Sequence, residues 1–102
     1  IADAIELEKA GAFAIVLEVV PTELAAELTA SVKIPVIGIG AGNKTDAQVL
    51  VWQDLVGALS GHTPKFVQPY ADLKSVITSA VGSWANDVRS GAYPDDSHSY
   101  HR

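Results

Sequence analysis

Apolar and polar positions along the chain fall into blocks of changing period. Residues 2–10 set Ala4, Ile5 and Leu7 among Asp3, Glu6, Glu8 and Lys9, a weakly amphipathic helical pattern that Gly11 stops. Residues 12–19 are then apolar at every position but one, the pattern of a parallel strand covered on both faces. Pro21 predicts the start of a second helix, because its missing N–H costs nothing in a first turn, and Glu23 suits the helix dipole. Leu24, Leu28 and Val32 recur every four residues and mark that helix's apolar face. Val36–Ile39 predicts a second short strand that breaks into a glycine-rich loop.

Beyond that loop the pattern is more equivocal. Thr45 and Gln48 stand at capping-box spacing and predict a helix through residues 47–59, although Val49, Leu50, Val51 and Trp52 suit a strand equally well. Residues 60–64 read as a loop and 65–70, KFVQPY, as a brief third strand. Residues 71–89 place Leu73, Val76, Ile77, Ala80, Trp84 and Val88 at helical spacing. Residues 91–102 form a Gly- and Pro-punctuated tail behind a single domain spanning residues 1–90. Alternation of helix and strand at intervals of about twenty residues is the rhythm of βαβ units and a parallel sheet. Two or three parallel strands cannot close a barrel, and a helix at the start needs an earlier strand to pack on, so the pattern reads as part of a longer chain.

Composition narrows the chemistry. Of 102 residues 48% are hydrophobic and 19% charged, enough apolar side chain for a core. A net charge of -5 with only seven Lys and Arg argues against a nucleic-acid or anionic-membrane surface. No cysteine is present, which excludes disulfides and thiolate metal sites and fits a reducing, cytoplasmic setting. No apolar run reaches the roughly 18 residues of a membrane span.

Glu18 is the one polar residue within the apolar run. At the carboxyl end of a parallel strand it stands on the rim where such folds bind ligands, and burial among valines and leucines would raise its pKa toward neutrality. The competing reading makes it a cap or an ion-pair partner of Lys33 or Lys44. Gly38, Gly40 and Gly42 let backbone approach a ligand, but their spacing matches neither a dinucleotide fingerprint nor a phosphate-binding loop, and tight βα packing explains them equally. Asp54 and His62 read either as ligand contacts or as solvated loop groups. His98 and His101 beside Asp95 and Asp96 are read as part of an acidic tail and not as metal ligands, since no third ligand is identifiable.

The stretches GAFAIVLEVVPTELA, IPVIGIGAGNKTDAQVLVWQD, PKFVQPYADL and SGAYPDDSHSYH together resemble the carboxyl-terminal part of the ketopantoate hydroxymethyltransferase family, in the family's order and over essentially the whole chain. That resemblance implies a (β/α)8 barrel of the phosphoenolpyruvate/pyruvate type, to which this chain would contribute about strands six to eight. A complete barrel takes about 250 residues. The implied reaction moves a hydroxymethyl group from 5,10-methylenetetrahydrofolate to 3-methyl-2-oxobutanoate, giving 2-dehydropantoate for pantothenate synthesis.

The implied metal is Mg2+, bound to the keto acid and held by acidic residues on earlier strands; neither they nor the family's substrate-binding Lys and Ser have counterparts here. The family's proton-transfer glutamate, in the motif L-E-x-V-P, maps onto Glu18. Gly40, Gly42 and Asn43 fall at the rim and are expected to border the substrate or folate pocket. Where many relatives read D-G-Q, this chain has Asp46-Ala47-Gln48, which matters if that glycine needs positive φ. The resemblance also implies a homo-oligomer, a decamer in the family, with the helix around Val76–Val88 exchanged between subunits and Trp84 as an anchor. Two other readings stand beside it: another magnesium-dependent keto-acid carbon–carbon lyase of the same superfamily, and a non-catalytic assembly module.

Overall fold

The computed structural model describes residues 1–102. Its elements run α1 (Ala2–Lys9), β1 (Ile15–Glu18), α2 (Thr22–Ser31), β2 (Val36–Ile39), β3 (Ala47–Gln48), α3 (Trp52–Leu55) and α4 (Leu73–Ser90), followed by a 3-10 turn at Asp96–His98. The strands form one parallel sheet in the order β1-β2-β3. Ile15 stands opposite Val36 and Glu18 opposite Ile39, while Ile37 and Gly38 pair with Ala47 and Gln48. The protein is therefore α/β with a small parallel sheet, as the alternating pattern predicts.

Strand alternation decides which side chains meet. Ile15, Leu17 and Val36 point to one face, where they join Ala4 of α1, Ala25 and Leu28 of α2, and Ala41 in a single buried cluster. Val20, Val32 and Ile34 pack against its margin. The opposite face is bare. Val16 and Glu18 are exposed there, and their register partners Ile37 and Ile39 are half-buried. The continuous apolar run thus predicted cover on both faces, and residues 1–102 cover one. Burial in α2 also differs from the expected face: Ala25 and Leu28 are buried whereas Leu24 is 41% exposed, and Val32 lies beyond the helix in extended backbone. Pro21 occupies the N-cap position, one residue ahead of the first helical turn.

The helix expected over residues 47–59 is replaced by the two residues of β3, an irregular link and the four-residue α3. The reason is a set of bonds made outside the segment. Asp46 N–H donates to Val36 O at 3.0 Å, Val49 N–H donates to Gly38 O at 2.9 Å, and the Asp46 carboxylate accepts from Val36 N–H at 2.9 Å. This ladder holds residues 46–49 in extended backbone against β2. Ala47 lies within it at negative φ, so the methyl in place of the relatives' glycine meets no backbone penalty. Thr45 and Gln48 do meet, but side chain to side chain: Gln48 Nε2 donates to Thr45 Oγ1 at 2.9 Å and to Gly42 O at 2.8 Å. No strand forms over residues 65–70; Val67 N–H bonds back to Pro64 O in a turn, and the buried Val67 pins that loop.

α4 is built as its sequence predicts. Asp72 caps it, accepting from Ser75 N–H at 3.2 Å and Ser75 Oγ at 2.6 Å, and Gly91 closes it in left-handed backbone at φ 76°. The Ser75 hydroxyl and then the Ser75 N–H hold the Asp72 carboxyl below its ordinary value. Only the first turn is tied to the rest, through Leu73 N–H to Val56 O and Lys74 N–H to Gly57 O. None of its residues is buried, and Trp84 is 56% exposed. The chain therefore measures 68 × 33 × 16 Å with a radius of gyration of 22.7 Å, against about 13 Å for a globule of this length. No helix is long and apolar enough to cross a membrane.

Candidate active site

The carboxyl ends of β1 and β2 open into a cleft of about 730 Å³. One side is the turn after β1, Val19 to Thr22; the other is the loop after β2, with Gly40, Gly42 and Asn43. Gln48 of β3 also lines it, together with Lys65 and Phe66 from the long loop ahead of α4. Both glycines are required by their surroundings. Gly40 sits at φ 65° with Phe66 where a Cβ would stand, 2.8 Å from Cδ1, and Gly42 sits at φ 74° with Thr22 Oγ1 2.5 Å from where its own Cβ would stand. Their lack of a side chain lets the β2 loop lie directly on the aromatic ring and on the start of α2.

Of the residues singled out from sequence, Gly40, Gly42 and Asn43 come together in this cleft. Glu18 ends β1 one peptide before the cleft wall at Val19 and does not itself line the cavity. It is exposed, on the face without helices, so the apolar envelope expected around its carboxylate is not formed by residues 1–102. It forms no ion pair with Lys33 or Lys44. Asp54 and His62 lie apart, around a second, smaller cavity of about 80 Å³.

In the tail, His98 Nδ1 lies 2.6 Å from Asp95 and His101 Nε2 lies 3.0 Å from Asp96. The Ser97 hydroxyl, and then His98, hold the Asp95 carboxyl below its ordinary value. Val19, Val20, Pro21, Thr22, Gln48, Lys65 and Phe66 are the cleft residues that the sequence did not single out as site residues. Lys65 is the only charged group lining it and makes no salt bridge. Its signal is faint, a lone lysine after a Thr-Pro turn, 22 residues beyond Asn43.

Comparison with known proteins gives this rim its context. The family model of ketopantoate hydroxymethyltransferase matches residues 1–96. The chain belongs to the ketopantoate hydroxymethyltransferase family. Its relatives include proteins named 3-methyl-2-oxobutanoate hydroxymethyltransferase from Acidothermus cellulolyticus, 60% identical over 98 residues, and from Frankia alni, 55% identical over 100. A third, of the same name, from Streptomyces coelicolor is 56% identical over 99 residues. These alignments cover 96%, 98% and 97% of this chain but 36%, 33% and 34% of the relatives, so the chain spans about a third of the length of the hydroxymethyltransferases it matches.

Proposed function

We propose that residues 1–102 supply part of the active-site rim of a 3-methyl-2-oxobutanoate hydroxymethyltransferase. In this reading the enzyme transfers a hydroxymethyl group from 5,10-methylenetetrahydrofolate to 3-methyl-2-oxobutanoate, and β1, β2 and β3 are about the sixth to eighth strands of a (β/α)8 barrel. The third of them falls at Ala47–Gln48 and not at residues 65–70. Glu18 acts as the base. It takes a proton from carbon 3 of the keto acid, the electron pair passes toward the carbonyl as an enolate, and that carbon bonds to the folate's methylene carbon. Both methylene–nitrogen bonds break, water supplies the hydroxyl, and the two nitrogens take up the protons as tetrahydrofolate leaves. The cleft beside Glu18 receives the reactants, with Gly40, Gly42 and Asn43 along its edge.

The observation that carries the reading is the placement of Glu18 at the carboxyl end of a parallel strand, adjoining a ligand-sized cleft, in a chain of this family. Magnesium belongs to the proposal as the metal that polarises the keto acid's carbonyl. No three His, Asp or Glu residues converge within this chain. In this reading the metal's ligands are acidic residues outside this chain, and no step above is routed through it. The same reading carries homo-oligomeric assembly, for which the exposed apolar stripe of α4 is suited, and a cytoplasmic setting.

The test uses a complete enzyme: residues 1–102 replace the matching segment of the Acidothermus cellulolyticus relative. The chimera should form 2-dehydropantoate only when both substrates are present. Glu18→Gln should leave circular dichroism and keto-acid binding intact while lowering kcat by about 10²- to 10⁴-fold, the usual worth of a general base. A near-normal kcat removes Glu18 from the mechanism.

A further inference from the structure

Val19 is the only residue other than glycine with positive φ, at 52°. It is β-branched, and left-handed backbone is strained for such a side chain. The neighbours explain why the bend falls there. Glu18 is held in the β1 ladder, Val19 N–H extends that ladder by donating to Ile39 O at 2.9 Å, and Pro21 confines Val20 to extended backbone. One residue is left to turn the chain from the strand toward α2. Glycine would make this turn without strain, and six glycines elsewhere in the chain take positive φ.

What distinguishes position 19 is its side chain. Val19 is 64% exposed and lines the cleft, where Val20 and Phe66 are its apolar companions. The remaining lining is Pro21, which follows Val20 in the same turn, the polar Thr22, Asn43, Gln48 and Lys65, and the glycines of the β2 loop. Val19, Val20 and Pro21 thus form an apolar stretch at the β1 turn, with Phe66 as a second apolar group beside Gly40 and the hydrogen-bonding and cationic groups Asn43, Gln48 and Lys65 also in the lining. A short 2-keto acid with a branched alkyl group has the matching division, hydrocarbon at one end and carboxylate with carbonyl at the other.

We infer that Val19 is a specificity-determining residue: its strained backbone presents the isopropyl-sized side chain as the wall that meets the branched alkyl group of the keto acid. The inference rests on the transferase reading of the cleft. It is independent of the role given to Glu18.

In the chimeric enzyme, Val19→Gly should have two effects of opposite value. Thermal unfolding should shift upward because the strain is released. The ratio of kcat/KM for 3-methyl-2-oxobutanoate over 2-oxobutanoate, which lacks one methyl group, should fall by about 10-fold, the lower end of what one such group is worth in an apolar pocket. That loss should appear in KM for the branched acid, with kcat within about two-fold because the reacting groups are untouched. Val19→Ile should restore the ratio. An unchanged ratio in Val19→Gly, or an equal loss for both acids, overturns the inference while leaving the transferase reading in place. An inactive chimera carrying the unaltered segment would overturn both.

Discussion

Replacing Gly42 by alanine probes the contact that shapes the cleft. Two separate costs are expected. At φ 74° an alanine incurs the left-handed backbone penalty, about 1–2 kcal/mol. Its methyl would also stand 2.5 Å from Thr22 Oγ1, 2.6 Å from Cγ2 and 2.9 Å from Cβ. No rotation of the threonine removes the last of these, so either the β2 loop or the first turn of α2 must move, an overpacking cost of about 1–3 kcal/mol. Together they amount to roughly 2–5 kcal/mol, a large fraction of a typical domain's stability.

The molecule contains its own control. Gly91 has almost the same φ, 76°, and nothing within 4 Å of the point a Cβ would occupy, so Gly91→Ala isolates the backbone penalty at the end of α4. Urea unfolding of the chimeric enzyme with each variant, followed by circular dichroism, should give a larger loss for Gly42→Ala than for Gly91→Ala. Adding Thr22→Ala to Gly42→Ala should recover part of the difference and none of the backbone share. Equal losses at positions 42 and 91, or no recovery in the double variant, would show that the close approach of Gly42 to Thr22 does not constrain the cleft.

Two further outcomes can be measured. Lys65→Gln removes the only charge lining the cleft, and KM for the carboxylate substrate should rise about five-fold, matching about 1 kcal/mol for a solvated pair at 4 Å. The rise should shrink in high salt, and an unchanged KM at low salt would remove Lys65 from substrate recognition. The second outcome concerns acid. Because the folded Asp72 carboxyl lies below its ordinary value of 3.8, its contribution to α4 is complete above that value and is lost as pH falls through the lower folded value. A peptide of residues 70–92 should lose helical dichroism in that acid range, and Asp72→Ala should start less helical and lack that step; identical profiles would contradict the cap.

Much of the fold is legible in the sequence because its signals are local. β1 and β2 announce themselves as β-branched runs, and α4 carries its period of apolar positions within its own residues; the Asp72 cap and the Gly91 stop that flank it are added by the structure. Residues 45–51 are not legible in that way. Thr45 and Gln48 have helix-capping spacing, yet the bonds that decide their backbone come from Val36 and Gly38, about ten residues upstream. A distant ladder outweighs a local preference here.

The candidate site divides along the same line. Glu18 stands out as a polar interruption, and the loop glycines stand out by composition. Lys65 and Phe66 reach the cleft only through the loop that Val67 anchors, a placement no short motif records. Nor does the strain at Val19 show in any pattern of apolar residues; it follows from the geometry between a strand and a proline.

α4 is fastened at its first turn and free along the rest, which makes it a lever. Eighteen residues span about 27 Å, so a pivot of 10° at Leu73 swings the far end by ~5 Å. Small adjustments at the Val56 and Gly57 carbonyls are magnified at Val88. The two backbone bonds at Leu73 and Lys74 therefore set, through the length of the rod, where residues 91–102 come to lie.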